Sequence, residues 1–263
     1  MRVRALIAKE CLDLFRNRTA LVPVVLVTLV SLVVPFTVIL VAPAITGRPL
    51  DDDPGLARVG AAIGMRPTMA PDVAIEAFLF QQFLILFLLT PITGAMSLAA
   101  HAIVGEKQAR TLEPLLATPI STAELLVAKV LGSLIPTFAI SLAGLGLYLA
   151  GIGLFAHPGV LAALASAETA VLVLVLGPAA ALVSLQAAIV ISSRVNDART
   201  AQQFGVLIIL PLTAVFVAQF TGAWLLTAPV LALAGVALLA VWALLTAVSV
   251  RLFDREAILT RWR

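Results

Sequence analysis

Six stretches of this chain are too long and too evenly apolar to be anything but helices embedded in lipid. They run over about residues 20–42, 77–100, 126–150, 170–192, 205–224 and 228–250. At 1.5 Å per residue, about 20 apolar residues cross a hydrocarbon core of about 30 Å. A bilayer offers no water to the backbone, so only helices and closed barrels satisfy their N–H and C=O groups inside it. Barrel strands alternate apolar and polar residues, whereas these runs are continuous. The expected fold is an all-α integral membrane protein with six transmembrane helices in one domain. Composition agrees, with 62% hydrophobic and 12% charged residues, against about 45–50% and 25% in soluble domains.

The basic residues orient the bundle. With the N-terminus in the cytoplasm, fourteen of the seventeen Lys and Arg residues fall on the inner side. They are Arg2, Arg4, Lys9, Arg16, Arg18, Lys107, Arg110, Lys129, Arg194, Arg199, Arg251, Arg255, Arg261 and Arg263. Only Arg48, Arg58 and Arg66 remain outside. This is a strong positive-inside signal, and with both termini cytoplasmic it requires an even number of spans. The net charge of +3 is explained by these flanking cations, so no nucleic-acid partner is expected; the bilayer is. Residues 1–19 carry five basic and two acidic residues and precede a long apolar run, unlike a signal peptide.

Inside the spans no ionisable residue is expected at a central position, and Lys129 is expected to snorkel from the inner end of the third span. That argues against a proton-coupled carrier. Gln81, Gln82, Ser184, Gln186 and Gln219 are the polar residues of the spans. Two readings stand: a substrate path between helices, or hydrogen bonds that join helices. Pro23, Pro35, Pro91, Pro136, Pro178 and Pro211 each remove a backbone donor and favour kinks.

Outside the spans, residues 2–18 place Val3, Ile7, Ala8, Cys11, Leu12, Leu14 and Phe15 on one half of a helical wheel. This is an amphipathic helix expected to lie in the inner interface. In the loop 43–76, the run Asp51, Asp52 and Asp53 invites a divalent cation. Asp53 before Pro54 reads better as an N-cap opening a short helix over 54–63, and no metal site is assigned. Residues 157–169 are expected to form a short helix resting on the outer membrane surface, with His157 solvated.

The longer inner loop, 101–124, reads HAIVGEKQARTLEPLLATPISTAE. A short helix from Thr111 to Ala117 would present Leu112, Leu115 and Leu116 on one face, rimmed by Glu106, Lys107, Arg110 and Glu113. Pro119 would stop it, and Ser121 with Glu124 resembles a capping box for the third span. An exposed leucine cluster marks either a protein interface or a segment dipping into the headgroups, and periodicity supports both.

Catalytic signatures are missing. There is no P-loop, no HExxH among two histidines, and no GxSxG. The one cysteine, Cys11, rules out an internal disulfide or thiolate cluster. The chain is expected to be no enzyme and to carry no cofactor of its own.

A resemblance narrows the reading. GEKQARTLEPLLATPISTAELLVAK is similar to the inner-loop pattern of type-2 permeases of ATP-binding-cassette transporters. That pattern has an acidic then a basic residue, Thr-Leu-Glu, Leu-Leu, Thr-Pro, and a Lys opening the next span. The matching residues are Glu106, Lys107, Thr111, Leu112, Glu113, Leu115, Leu116, Thr118, Pro119 and Lys129. Arg110 and Ala128 stand where the family often has Gly. KECLDLFRNR resembles the family's interfacial helix, and SSRVNDARTAQQFG (192–205) resembles an inner loop of sodium-efflux-type permeases, drawing in Arg194, Asn196, Asp197 and Arg199. The resemblance implies a permease subunit of an ATP-driven exporter in the cell membrane. Its loop 105–121 would act as a coupling helix on a separate ATP-binding subunit that holds ATP and Mg, and a second permease chain would complete the path. Other readings are a non-transporting anchor or signalling subunit that uses the same coupling, and a secondary carrier. The spans show no charged pocket, which favours an apolar or amphipathic cargo; the likeness at 192–205 favours an ion.

Overall fold

The computed structural model describes residues 2–47, 70–108, 122–195 and 227–252, with scattered positions at 52, 200, 203, 210, 213–215, 217 and 218. Among these residues every regular element is a helix. α1 spans Arg2–Arg16. The Asn17 side-chain oxygen then accepts a hydrogen bond from the N–H of Ala20 at 3.2 Å and caps the first span. That span is a continuous rod of α2 (Arg18–Phe36), a π turn (Thr37–Val41) and α3 (Ala42–Thr46). Gly47 ends it at φ 66°, its N–H bonded to the Pro43 carbonyl, a left-handed cap that suits glycine.

The second span joins α4 (Pro71–Phe83), a 3-10 turn (Leu84–Leu88) and α5 (Leu89–Gln108). Pro71 sits in the first turn, where its missing N–H would have no partner. The third span, α6 (Thr122–Phe155), has 34 residues, about 51 Å of helix, and runs on through Pro136. Gly159 at φ 102° turns the chain into α7 (Val160–Leu164). Ser166 caps α8 (Ala167–Val171), which continues through a π turn (Leu172–Leu176) into α9 (Gly177–Arg194), the fourth span. α10 (Ala228–Leu252) is the last. Five of these rods are long and apolar enough to cross a bilayer. The expected fifth span at 205–224 falls largely outside the described residues, as does the expected helix at 54–63 with its cap Asp53. Pro35, Pro91 and Pro178 each lie beside a π or 3-10 turn. A proline cannot donate to the carbonyl four residues back, and the ladder around it re-pairs.

Contacts between spans fix their directions. Ser97 donates to the Ala20 carbonyl at 2.8 Å and Ser31 to the Leu86 carbonyl at 3.2 Å, so spans one and two are antiparallel. Gly144 faces Thr28 and Gly151 faces Phe36, so spans one and three are parallel. Gly235 faces Val175, and Gln186 donates to Ser249 at 2.6 Å, so the fourth and last spans are parallel. Arg16, Gln108, Thr122, Arg194 and Leu252 therefore gather at one end, termed the loop end. Gly47, Pro71, Phe155, Ala167 and Ala228 gather at the other, the His157 end. Val195 and Thr227 lie at opposite ends.

The second span is the hub. Its apolar window is 83% buried, against 11% for the last span, and it packs on the first, third and fourth. Toward the His157 end the core is aromatic. The rings of Phe36, Phe80 and Phe87 lie 4.9–5.9 Å from that of Tyr148, whose hydroxyl donates to the Phe80 carbonyl at 2.7 Å. Toward the loop end, Ala95, Ala99, Ala181 and Ala188 let the second and fourth spans approach closely.

Two short peripheral elements pack on the bundle. α1 packs against α6, with Leu6 buried at 9% exposure while Leu12 of the expected apolar face is 60% exposed. The Cys11 thiol donates to the Gly132 carbonyl at 3.6 Å, the acceptor that Pro136 leaves without its usual N–H partner. Cys11 belongs to the expected apolar half, and that half supplies this contact with α6. α7 is also anchored to the bundle: Val160 and Leu164 are buried in the same core cluster as Ile75 and Leu79.

Candidate functional site

The loop end frames the segment singled out by its motif. α5 continues unbroken to Gln108, so Glu106 and Lys107 occupy the last turn of the second-span helix. Val104 is buried just before them and Gly105 is exposed. The chain is helical again from Thr122, with the exposed Glu124 in the first turn, where an acid favours the helix dipole. Arg110, Thr111, Leu112, Glu113, Leu115, Leu116, Pro119 and Ser121 lie outside the described residues. At the same end Arg194 closes α9, and Val195 leaves it in an extended conformation with its N–H on the Ile191 carbonyl. Asn196, Asp197 and Arg199 lie outside the described residues. The ends of both candidate inner segments thus share one end of the bundle.

Lys129 departs from its expected place. It is 2% exposed and does not snorkel to solvent. α6 begins at Thr122, so Lys129 sits two turns inside the helix, already between packed spans.

The span glutamines divide. Gln186 donates through Nε2 to Ser249 at 2.6 Å in a buried contact, joining the fourth and last spans as a helix–helix hydrogen bond. Ser184 returns its hydroxyl to the Ala180 carbonyl four residues back. Gln82 is buried on the hub helix, with its Oε1 unpaired among the described residues. Gln81, half-buried, lines a cleft at the His157 end with Leu84, Ile85, Glu168, Thr169, Leu172 and Leu231. Gln219 lies outside the described residues.

One feature corrects the reading of His157 and leaves the absence of a central acid untouched. Glu76 is 3% exposed inside the second membrane-length helix, so an acid does occupy a span, near its His157 end. His157 is not simply solvated: its Nδ1 lies 2.6 Å from the Glu76 carboxylate, the ring remaining 60% exposed. The other carboxylate oxygen is buried without a partner among the described residues. The pair ties the start of the second span to the turn after the third. The signal was present in PDVAIE: Pro71 as a first-turn residue carries Glu76 one turn deeper than a span drawn from 77.

The family model of ABC-2 family transporter proteins matches residues 4–252, from α1 through the last span. The chain belongs to the ABC-2 transporter family. No curated protein matches it beyond that. As an ABC-2 chain it is a membrane permease component of an ABC transporter, a multi-pass membrane protein, and not itself the ATPase subunit. The match takes in both loop-end segments and the Glu76–His157 pair.

Proposed function

We propose that this ABC-2 permease couples ATP hydrolysis on a separate subunit to export of a substrate across the cell membrane. ATP and Mg belong to that subunit. The loop from Glu106 to Pro119 is its seat: Leu112, Leu115 and Leu116 enter a groove, and Glu106, Lys107, Arg110 and Glu113 rim it with charge. Arg194, Asn196, Asp197 and Arg199 form a second contact on the same side. The observation that carries the reading is the coincidence of the family match with the helix geometry at Gln108 and Thr122. Two rigid rods, one of them the buried hub, begin and end where the motif sits, so a push on the loop reaches the core directly.

Six spans with both termini cytoplasmic follow from the same reading. Val195 and Thr227 lie at opposite ends of the bundle, which supports one further crossing between them. A second permease chain completes the path. Nucleotide drives the cycle only because the ATPase subunit binds the inward- and outward-facing states with different affinity.

The test is charge reversal at Glu106, Lys107 and Arg110, or replacement of Leu112, Leu115 and Leu116 by serine. Loss of ATPase subunit binding and of transport, with the chain still inserted, is the expected result. Normal assembly and transport would refute the coupling role. ATPase stimulation by a panel including sodium and amphipathic compounds then separates an ion cargo from an amphipathic one, and transport from a pure anchor or signalling role.

A further inference from the structure

We propose that Glu76 and His157 form a proton-operated latch. It holds the start of the hub helix to the turn after the third span while the imidazole is charged, and releases it when the imidazole is neutral. The two partners meet water unequally: the His157 side chain is 60% exposed and that of Glu76 is 4% exposed. The imidazole therefore exchanges protons with the medium at this end of the bundle, the outer medium in the orientation proposed above. The carboxylate depends on its partner. Its Oε1 is buried with no hydrogen bond among the described residues, so the 2.6 Å contact from Nδ1 to the other oxygen carries the compensation for burying the charge. A buried carboxylate is tolerated while a charged donor faces it and becomes costly once that donor is neutral. Imidazole is the side chain whose ordinary charge change falls between about pH 5 and 8. The latch thus contributes fully while the imidazole is protonated and is lost as pH rises through that range.

The backbone places the pair at the free end of α4. His157 lies in the short turn between α6 and α7, and its carbonyl accepts the Val160 N–H at 3.2 Å. Val160 and Leu164 pack in the cluster that holds Ile75 and Leu79, which flank Glu76 along α4. One turn further along, the Tyr148 hydroxyl anchors α4 at the Phe80 carbonyl. Residues 71–79 lie beyond that anchor, and the pair supplies a polar tie for them. Other titratable groups nearby are few among the described residues. Residues 19–47 of the first span, the 3-10 turn Leu84–Leu88 and α7 have none. Over its half toward His157, α6 has Tyr148, whose hydroxyl is engaged. Asp72 lies one turn before Glu76 on α4, and Glu168 lies in the first turn of α8. Both are acids, and an ionised carboxylate cannot replace the imidazole as a charged donor.

The test is hydrogen–deuterium exchange on the full chain in phosphatidylcholine nanodiscs, each rate being divided by the intrinsic amide rate at that pH. From about pH 5.5 to about pH 8.5, protection of residues 74–79 should fall about tenfold, as loss of a charge-assisted hydrogen bond implies. Residues 180–191 of the fourth span should keep theirs. In His157→Gln, protection of 74–79 should stay at the alkaline level at every pH. Glu76→Gln, whose amide needs no counter-charge, should also lose the pH dependence. Unchanged protection of 180–191 in both variants verifies that they are folded. Asp72→Asn and Glu168→Gln should keep the wild-type response. Flat protection in the wild-type chain would overturn the latch. So would a response that survives His157→Gln and Glu76→Gln, or one that Asp72→Asn or Glu168→Gln abolishes. The latch belongs to this chain alone, so its failure leaves the ATPase-coupling reading standing, and loss of that reading leaves the latch.

Discussion

Gly94 sets the approach of the second span to the third. A Cβ built there meets the Thr137 methyl at 2.7 Å, and Thr137 cannot swing away freely because its hydroxyl is held by the Ser133 carbonyl at 2.7 Å. Gly94→Ala should cost about 1–3 kcal/mol, the usual range for overpacking, read as a lower unfolding temperature in detergent. Thr137→Ser, which removes the methyl, should restore most of the loss. The Glu76–His157 pair makes a second prediction at this scale. His157→Ala leaves a buried carboxylate unpaired and should cost about 3 kcal/mol, the lower end of the range for breaking a buried pair because the imidazole is largely exposed. Glu76→Gln in the same chain should recover most of it. If His157→Ala unfolds at the wild-type temperature, the pair has no structural role. The residue scale is where the sequence was least legible. Nothing in PDVAIE or in HPG states that positions 76 and 157 meet; their contact spans 81 residues, and only folding brings them together.

At the scale of elements, length and apolarity located the rods while their ends and internal geometry needed the neighbours. The spans drawn at about 77–100 and 126–150 grew to Pro71–Gln108 and Thr122–Phe155, because a hydropathy window stops at the first charge and a helix does not. Prolines marked the irregular turns, yet Pro136 sits in a continuous α6. There the Gly132 carbonyl accepts the Cys11 thiol instead. This link between α1 and α6 is testable by a double-mutant cycle on Cys11→Ala and Pro136→Ala. Cys11→Ala alone should cost about 0.5–1 kcal/mol, and that cost should vanish when Pro136→Ala restores a backbone donor. Persistence of the full cost in the alanine background would assign it to packing instead. Amphipathicity announced α1 as a helix, and Cys11 of its apolar half meets α6; which helix that would be was not legible in the wheel.

For the whole molecule, the arrangement makes a topological prediction. In a Cys11→Ala background, cysteine at Gly105 should react with a membrane-impermeant maleimide only from the cytoplasmic side. Cysteine at Ala165 or Thr227 should react only from outside. Gly105 has open space around its Cα and Ala165 is exposed, so neither change disturbs packing. Labelling of residue 227 from the cytoplasm would remove the crossing between Val195 and Thr227 and with it the count of six. Sequence by itself determined that this is a helical membrane protein of the ABC-2 kind, because burial in lipid is a property of each segment's own composition and a family pattern is a property of residue order. Tertiary structure alone decided which helix becomes the hub, which glutamine bonds to a helix and which lines a cleft, and that a buried acid has a histidine partner. Those outcomes depend on which surfaces face each other, and a surface has no partner until the chain has packed.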